Sequence, residues 1–317
     1  MSELALDTRL AGLHLKNPVL PASGTYGYGR EYLPFFTPDT FGAVVTKGVS
    51  LEPWPGNPPP RVYETAAGML NAIGLQNPGV EVFIREALPF LGPYRTPVIV
   101  NVVGKTIPEY VGVVERLTDC PEVSGFELNI SCPNVKEGGM AFGTDPETAY
   151  RVTRAVRQAT RKPLIVKLSP NVTDVTLIAR RVEEAGADCL SLINTLLGMA
   201  IDIRKGRPVL ANMVGGLSGP AIKPVALRMV WQVYQEVSVP LIGMGGITTA
   251  ADAIEFMMAG ATAVAIGTGT FRDPLTPARV IEGIGEFLAE QKTDLKDVIG
   301  SAHRGRRDIF QSKIRKR

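Results

Sequence analysis

The residues best suited to chemistry lie at the end of one apolar segment. Residues 125–131, GFELNIS, lead directly into Cys132. A strand that ends in amides, a hydroxyl and a thiol buries donors and acceptors that cost free energy unless something pairs with them. A bound ligand can supply those partners, and the segment therefore predicts an active site.

Short apolar runs that end in polar residues or glycine recur along the chain. Eight of them cover residues 18–23, 43–47, 97–103, 125–131, 163–169, 189–195, 240–246 and 263–268. Stretches with apolar residues three and four positions apart, which predict helices, separate most of them, including 146–160, 174–185, 221–237 and 249–259. Strands that alternate with helices predict a parallel sheet, and eight such units predict an α/β fold, the TIM (β/α)8 barrel.

Four segments interrupt this alternation. Residues 8–16 are expected to form an N-terminal hairpin that closes the barrel floor. The proline-rich segment 51–79 and the glycine-rich segment 196–220 are expected to be insertions at the C-terminal face. Residues 135–144 contain three glycines and predict either a mobile lid or an ordinary surface turn.

Ligands of such barrels bind where the strands end, so the residues at those ends can be treated as one site. These residues are small polar residues, lysines or glycines: Ser23, Thr46, Lys47, Asn101, Asn129, Cys132, Lys167, Asn194, Thr195, Gly245, Gly246, Gly267 and Thr268. A lone lysine at a strand end is usually a surface residue. Two lysines and three asparagines at equivalent positions favour a functional explanation.

The last two strand ends are rich in glycine. Residues 243–247 read GMGGI and residues 266–270 read IGTGT, where backbone amides can approach an anion without an intervening Cβ. Many barrels bind phosphate after these two strands, although tight turns alone would also explain the glycines. No GxGxxG follows a strand and no Walker-type loop occurs, so a mononucleotide such as FMN is favoured.

A base is needed for proton transfer, and Cys132 is the candidate. The amides and hydroxyls at the strand ends do not ionise near neutral pH, whereas a free thiol has a pKa of about 8.5, which is lowered if Lys47 or backbone donors lie close to it. A cysteine in a barrel is more often a small buried hydrophobe. The position of Cys132 just past a strand and before a glycine-containing loop favours catalysis, while Cys120 and Cys189 are expected to be inert.

Composition limits the class of protein. A formal charge of +3 without a basic helix argues against a nucleic-acid partner. The N-terminus lacks the features of a signal peptide and no long apolar window occurs, so a cytoplasmic protein with no membrane contact is expected. Three cysteines without metal spacing predict reduced thiols and no metal site. We expect one domain over 1–317, with a basic tail at about 303–317.

Several motifs together resemble one family over nearly the whole chain. They are NAIGLQNPG at 71–79, NISCPNVKEGGMAFG at 129–143, VKLSP at 166–170, LINT at 192–195, and the two glycine-rich strand ends. The chain resembles cytosolic class 1 dihydroorotate dehydrogenases. The loop from Asn134 and the residues 142–144 that follow it are most similar to subclass B, the NAD-linked catalytic subunit.

The resemblance implies FMN-dependent oxidation of dihydroorotate to orotate in pyrimidine biosynthesis, with Cys132 as the base and hydride passing to FMN. It implies an FMN site formed by Ser23, Lys47, Gly48, Asn101, Asn129, Lys167, Ile193, Gly219, Gly245, Gly246, Gly267 and Thr268. It implies a substrate site formed by Lys47, Asn71, Ala72, Ile73, Gly74, Leu75, Asn129, Asn194 and Thr195. It further implies a homodimer core in a heterotetramer, whose partner subunit carries FAD and an iron–sulfur cluster and passes electrons to NAD⁺.

Three alternatives stay open. A subclass that reduces fumarate shares the fold, the flavin and the cysteine base. A flavin dehydrogenase of uracil-like rings would use similar asparagines but no site for a carboxylate. A phosphate-binding barrel without redox chemistry would purify colourless and would fail to bind added FMN.

Overall fold

The computed structural model describes residues 6–131 and 139–304. Cys132, the predicted base, lies outside these ranges. The described strands are β1 (Thr8–Leu10), β2 (Leu13–Leu15), β3 (Val19–Pro21), β4 (Val44–Val45), β5 (Val62–Thr65), β6 (Gly68–Asn71), β7 (Val98–Val102), β8 (Val123–Asn129), β9 (Leu164–Lys167), β10 (Cys189–Leu192), β11 (Leu196–Gly198), β12 (Ile201–Asp202), β13 (Arg207–Pro208), β14 (Gly215–Ser218), β15 (Leu241–Met244) and β16 (Ala263–Ile266).

Eight of these strands form the parallel barrel sheet, in the order β3-β16-β15-β10-β9-β8-β7-β4. The two end strands are joined by a hydrogen bond in which the Gly42 backbone N–H donates to the Val19 carbonyl at 3.0 Å, just before β4. Each of the eight apolar runs contributes one barrel strand, so the predicted TIM barrel is confirmed.

Helices cover the outside of the barrel. They are α1 (Val80–Val82), which continues through a π-helical segment (Phe83–Ala87) into α2 (Leu88–Leu91), then α3 (Ile107–Leu117), α4 (Gly139–Thr144), α5 (Pro146–Ala159), α6 (Val175–Glu184), α7 (Lys223–Tyr234), α8 (Ala250–Met258), α9 (Thr268–Arg272), α10 (Thr276–Gln291), α11 (Leu295–Val298) and α12 (Ser301–Arg304). Short 3₁₀ helices lie at Arg30–Tyr32, Pro38–Thr40 and Pro220–Ile222. Among the described helices, none is long and apolar enough to cross a membrane.

The predicted helices begin and end at recognisable signals. Asp145 caps α5, which has Pro146 in its first turn, and Thr249 forms a capping box with Asp252 at the start of α8. Gly186 and Gly260, which follow α6 and α8, have positive φ angles of 102° and 118°, as helix stops of this kind require.

The hairpin of β1 and β2 seals the lower end of the barrel. Leu10 and Leu15 are fully buried and pack with inward-facing residues from the lower part of the strands, such as Ile165, Cys189 and Ala263. The predicted hairpin at the floor is therefore confirmed, and ligands cannot enter from that side.

The two insertions meet above the barrel. β5 and β6 of the first insertion pair with β14 and β11 of the second, and the four strands form one antiparallel sheet in the order β11-β14-β6-β5. The sequence predicted both insertions but not their pairing. Residues 139–144, the described part of the predicted loop, form α4 instead of a loop, and Phe142 packs edge-on against Tyr110 with ring centroids 5.8 Å apart.

Candidate active site

A cavity of about 350 Å³ lies between the upper strand ends and the antiparallel sheet. Its lining includes these residues predicted from the sequence: Ser23, Lys47, Gly48, Asn71, Ile73, Gly74, Leu75, Asn101, Asn129, Lys167, Ile193, Asn194, Thr195, Gly219, Gly245, Gly246, Gly267 and Thr268. The barrel and both insertions thus contribute to one site. Of the predicted residues in the described ranges, Thr46 and Ala72 do not line it, and both are fully buried.

The charge of the cavity is positive. Lys47 and Lys167 line it, and no aspartate or glutamate from the described part of the chain does. Lys167 is only 5% exposed, and its Nζ donates a hydrogen bond to Ser23 Oγ at 3.2 Å. Because burying an ammonium group costs free energy unless it is paired, this end of the cavity suits an anionic or electron-rich ligand.

Another part of the cavity wall is formed by glycine backbone. Gly219, Gly245 and Gly246 have φ angles of 98°, 129° and 79°, where residues with a side chain are strained. A Cβ on Gly246 would lie 2.8 Å from Lys223 Cβ and 2.9 Å from the Gly219 carbonyl oxygen. The conformation therefore requires glycine here. Beside these turns, Thr268 Oγ1 donates to Ser218 Oγ at 2.7 Å.

Three asparagines form the central wall of the cavity. Asn129 Nδ2 donates to Asn101 Oδ1 at 3.3 Å, and Ser131 Oγ donates to Asn129 Oδ1 at 3.3 Å. Asn194 Nδ2 donates in turn to Ser131 Oγ at 2.9 Å. Residues from β7, from β8 and from the segment after β10 are thereby connected, and they place neutral donors and acceptors around the cavity.

Beneath this wall lies a carboxylate that the sequence analysis missed. Glu127 is 1% exposed and accepts hydrogen bonds from Asn101 Nδ2 at 2.6 Å and Ser191 Oγ at 2.7 Å. A signal was present, because Gly125, Glu127 and Asn129 alternate with large apolar residues in β8 and so share the inward face.

Asn71 of the first insertion and Thr195, which directly precedes the second insertion, both lie against Gly216. Asn71 Nδ2 donates to the Gly216 carbonyl oxygen at 3.4 Å, and a Cβ on Gly216 would lie 2.0 Å from Thr195 Oγ1. Asn171 supports Thr195 from below, since its Nδ2 donates to the Thr195 carbonyl oxygen at 3.0 Å. Ala72 is fully buried and packs with Leu70 on the opposite side of the insertion, away from Asn71.

Further lining residues were not predicted: Ala22, Gly24, Thr25, Val62, Met69, Ser218, Ile222, Met244, Ile247, Ala265, Gly269 and Phe271. Met244 and Ala265 could have been predicted from the sequence. Both face the inside of the barrel, and both come shortly before the predicted glycines that follow β15 and β16. Val62 and Met69 come from the antiparallel sheet, and no sequence signal placed them over the barrel.

The two described cysteines are poorly suited to act as bases. Burial, with smaller contributions from Glu127 and Asp188, raises the pKa of the Cys189 thiol well above its usual range. Burial also raises the pKa of Cys120, which lies outside the cavity lining. Both are therefore thiols at neutral pH, as expected for inert cysteines. In the described ranges, no group of three His, Cys, Asp or Glu residues could hold a metal ion.

Comparison with known proteins agrees with this architecture. The family model described as "Dihydroorotate dehydrogenase" matches residues 5–288. The chain is 59% identical over 302 residues to the "Dihydroorotate dehydrogenase B (NAD(+)), catalytic subunit" of Geotalea uraniireducens (strain Rf4), covering 95% of this chain and 99% of that protein. It is 56% identical over 301 residues to the protein of that name from Alkaliphilus oremlandii (strain OhILAs), with 95% and 99% covered.

A solved structure has the same fold. The crystal structure of DHODH in complex with ferulenol from Eimeria tenella has a TM-score of 0.80 and 24% sequence identity, and the match covers 95% of this chain and 89% of that one. The barrel, the inserted sheet and the full-length matches lead to one conclusion: this chain belongs to the dihydroorotate dehydrogenase family.

Proposed function

We propose that this chain is the FMN-dependent catalytic subunit of an enzyme that oxidises dihydroorotate to orotate in pyrimidine biosynthesis. The observation that carries the proposal is the cavity at the carboxyl ends of the strands, in which two lysines and four asparagines are present and acidic side chains of the described residues are absent. Dihydroorotate and FMN both carry negative charge and amide-like ring edges, which lysines and asparagines can pair.

The residues present fit FMN. The left-handed glycines Gly245 and Gly246, with Gly267 and Thr268, expose backbone without bulky side chains and suit a phosphate. The ring system would be held by Ser23, Lys47, Gly48, Asn101, Asn129, Lys167, Ile193 and Gly219. When bound, FMN supplies an acceptor for two electrons as hydride. Lys167, buried beside Ser23, would stabilise negative charge on the reduced ring.

The residues around the remaining space fit the substrate. The Lys47 ammonium would pair with the carboxylate of dihydroorotate, a group that uracil-like rings lack. Asn71, Asn129, Asn194 and Thr195 would bond the ring carbonyls and N–H groups, and Ile73, Gly74 and Leu75 would cover the ring. Ala72 is left out of this set, because it does not line the cavity, its N–H donates to the Arg61 carbonyl oxygen and its carbonyl oxygen accepts from Asn57 Nδ2.

Proton transfer is assigned to Cys132. In the proposed step, its thiolate removes the proton from the ring carbon next to the carbonyl, while the neighbouring ring carbon loses hydride. Cys132 directly follows Ser131, which bonds both Asn129 and Asn194, and this position in the sequence supports the assignment. The amides would hold the ring so that the carbon faces the thiolate.

We further propose that the electrons leave through a partner subunit. The relatives are named catalytic subunits of an NAD⁺-linked enzyme. Three cysteines, Cys120, Cys132 and Cys189, lack the pattern of four ligands that an iron–sulfur cluster needs. FAD and a cluster would therefore belong to that partner, bound to a homodimer of this single-domain chain in the cytoplasm.

The electron acceptor and the substrate distinguish the proposed function from the fumarate-linked and uracil-type alternatives. The purified chain should oxidise dihydroorotate with an artificial dye as acceptor but reduce neither NAD⁺ nor fumarate. Addition of the electron-transfer subunit should start NADH formation. Rapid turnover with fumarate by the chain alone would contradict the NAD-linked assignment, and turnover of dihydrouracil at a similar rate would contradict the substrate.

A further inference from the structure

One carboxylate holds the chain directly behind the turn formed by Gly245 and Gly246. Asp252 Oδ2 accepts hydrogen bonds from the Thr248 backbone N–H at 2.9 Å, from Thr248 Oγ1 at 3.0 Å and from the Thr249 backbone N–H at 2.9 Å. Asp252 lies in the first turn of α8, and its own N–H donates to Thr249 Oγ1 at 3.2 Å. The segment that leaves the glycine turn is thereby fastened to a helix.

The other oxygen of the same carboxylate reaches the second side of the turn. Asp252 Oδ1 accepts a hydrogen bond from Lys223 Nζ at 2.7 Å. The backbone of Lys223 lies against Gly246, because a Cβ on Gly246 would lie 3.0 Å from the Lys223 nitrogen. Lys223 begins α7, directly after the short 3₁₀ helix that follows Gly219. Asp252 therefore links the two glycine turns that line this part of the cavity.

The backbone donors of the turn are suited to an anion. Gly245, Gly246 and Ile247 line the cavity, and no backbone carbonyl of the described residues accepts a hydrogen bond from their N–H groups. Successive backbone N–H groups in a turn can bind a phosphate, provided that the chain on either side keeps them in place. The glycines have no side chain that could do so, and the neighbouring contacts must fix the turn.

Two acceptor oxygens are needed for this arrangement, and an ionised carboxyl group provides them. Burial opposes the ionisation of Asp252, but hydrogen bonds from Lys223, Thr248 and Thr249 outweigh burial and lower its pKa from 3.8 to about 2. Asp252 is therefore a carboxylate at neutral pH. An amide of the same shape has only one acceptor oxygen and cannot serve both sides of the turn.

We propose that Asp252 is a positioning residue, which holds the backbone N–H groups of the Gly245 and Gly246 turn in place for the phosphate of FMN. This inference rests on the proposed function, because it takes the anion at the turn to be that phosphate. Asp252 does not line the cavity and acts through Thr248, Thr249 and Lys223.

A comparison of FMN with riboflavin tests the proposal, because riboflavin has the same ring system and lacks the phosphate. The FMN-loaded full chain is dialysed to equilibrium against graded concentrations of FMN and, in parallel, of riboflavin. Bound flavin is measured by absorbance, and the melting temperature of each variant is recorded. The unmodified protein should bind FMN at least about tenfold more tightly than riboflavin, the typical contribution of hydrogen bonds to a charged group.

Asp252→Asn should weaken FMN binding by about tenfold and change riboflavin binding by less than about threefold. The substitution removes a negative charge near the turn, and a charge effect alone would therefore strengthen the binding of an anion. Glu255→Gln is the matched control, because Glu255 accepts from the same Lys223 Nζ at 2.9 Å and loses the same charge. It should bind both flavins within about twofold of the unmodified protein.

A second variant keeps the test decisive if Asp252→Asn does not fold. Thr248→Val has nearly the same shape and removes one of the three donors to Asp252 Oδ2 without a change in charge. It should weaken FMN binding by about three- to fivefold and leave riboflavin binding within about twofold of that of the unmodified protein.

Three results would overturn the inference: unchanged or tighter FMN binding in Asp252→Asn, equal losses for FMN and riboflavin, or a selective loss in Glu255→Gln as large as that in Asp252→Asn. Equal affinity of the unmodified protein for the two flavins would also overturn it, because the turn would then hold no phosphate. Failure of the unmodified protein to bind FMN would instead contradict the proposed function, and this inference with it.

Discussion

The two ends of the barrel use the same strands for opposite purposes. At the floor, the inward-facing residues are apolar and pack against Leu10 and Leu15 of the hairpin. At the mouth, the same strands present Lys47, Asn101 and Asn129 to a cavity. One strand shows the change within a few residues: β8 turns Gly125, Glu127 and Asn129 inward in succession. A change of residue type along an inward face therefore marks where packing ends and binding begins.

The cysteines extend this comparison. Cys189 begins β10 at the floor, where it is fully buried and its pKa is raised by burial. In the sequence, Cys132 comes shortly after Asn129, the last residue of β8, and Asn129 lines the cavity at the other end of the barrel. The same residue type is thus expected to serve as a small apolar side chain at one end and as a base at the other.

Replacing each cysteine should give the largest difference between the two ends. Cys132→Ala should keep FMN and orotate binding but slow flavin reduction by dihydroorotate by about 10²–10⁴-fold, because the base is lost. The matched variant Cys189→Ala should leave this rate nearly unchanged and lower only stability. Stopped-flow absorbance measures both. Equal rates in the two variants would remove Cys132 from its role.

Truncation at the floor should affect folding and not chemistry. Leu10→Ala removes a fully buried side chain from the floor cluster and should lower the free energy of unfolding by about 2–5 kcal/mol. The protein that remains folded should bind orotate normally. Urea unfolding and an orotate titration measure the two quantities, and a large loss of orotate affinity would show that the ends are not independent.

Loss of a lysine at the mouth should affect ligand binding and not folding. Lys167→Met keeps the buried stem but removes the ammonium group beside Ser23, and FMN affinity should fall by about 10–100-fold, the typical contribution of a charge-assisted bond. Lys205→Met, on an exposed turn, is the control for the change in net charge. Equilibrium dialysis of FMN measures both, and equal losses would indicate a general charge effect.

A smaller effect is expected at Asp252, behind the glycine turns. Burial opposes its ionisation, but hydrogen bonds from Lys223, Thr248 and Thr249 outweigh burial and lower its pKa from 3.8 to about 2. Because the pKa is depressed in the folded state, this stabilisation is present above pH 3.8 and is lost as the pH falls through about 2.

Asp252→Asn should therefore lower the stability at pH 7 by about 1 kcal/mol, and this difference should shrink toward about pH 2.5. Urea unfolding at both pH values measures it. Glu255→Gln is the control, since Glu255 bonds the same Lys223 from a more exposed position and should matter less. A difference that does not change with pH would argue that the carboxylate charge is unimportant.

Local patterns explain why most of the barrel could be predicted. Each strand is a short apolar run, and helices such as α5 and α8 carry their own capping residues, as Asp145 and Thr249 illustrate. The site residues stand at the ends of those runs, so the strand assignment also located Lys47 and Lys167 at one end of the barrel. The glycine turns at Gly245 and Gly246 were visible for the same reason.

Features that depend on distant residues could not be predicted. The sheet over the cavity pairs Asn71 with Gly216, residues from two separate insertions, and neither segment encodes the other's register. Glu127 was overlooked because its partners, Asn101 and Ser191, lie on other strands. The helix α4 was missed because its glycines predicted a loop, whereas Phe142 packs it against Tyr110.

The most direct test of the proposed function is anaerobic mixing of the purified, FMN-loaded chain with dihydroorotate while the flavin absorbance is followed. We expect rapid bleaching, no reoxidation by fumarate or NAD⁺, and reoxidation by NAD⁺ once the electron-transfer subunit is added. Absence of bleaching at saturating dihydroorotate would contradict the assignment of this cavity as a dihydroorotate-oxidising site.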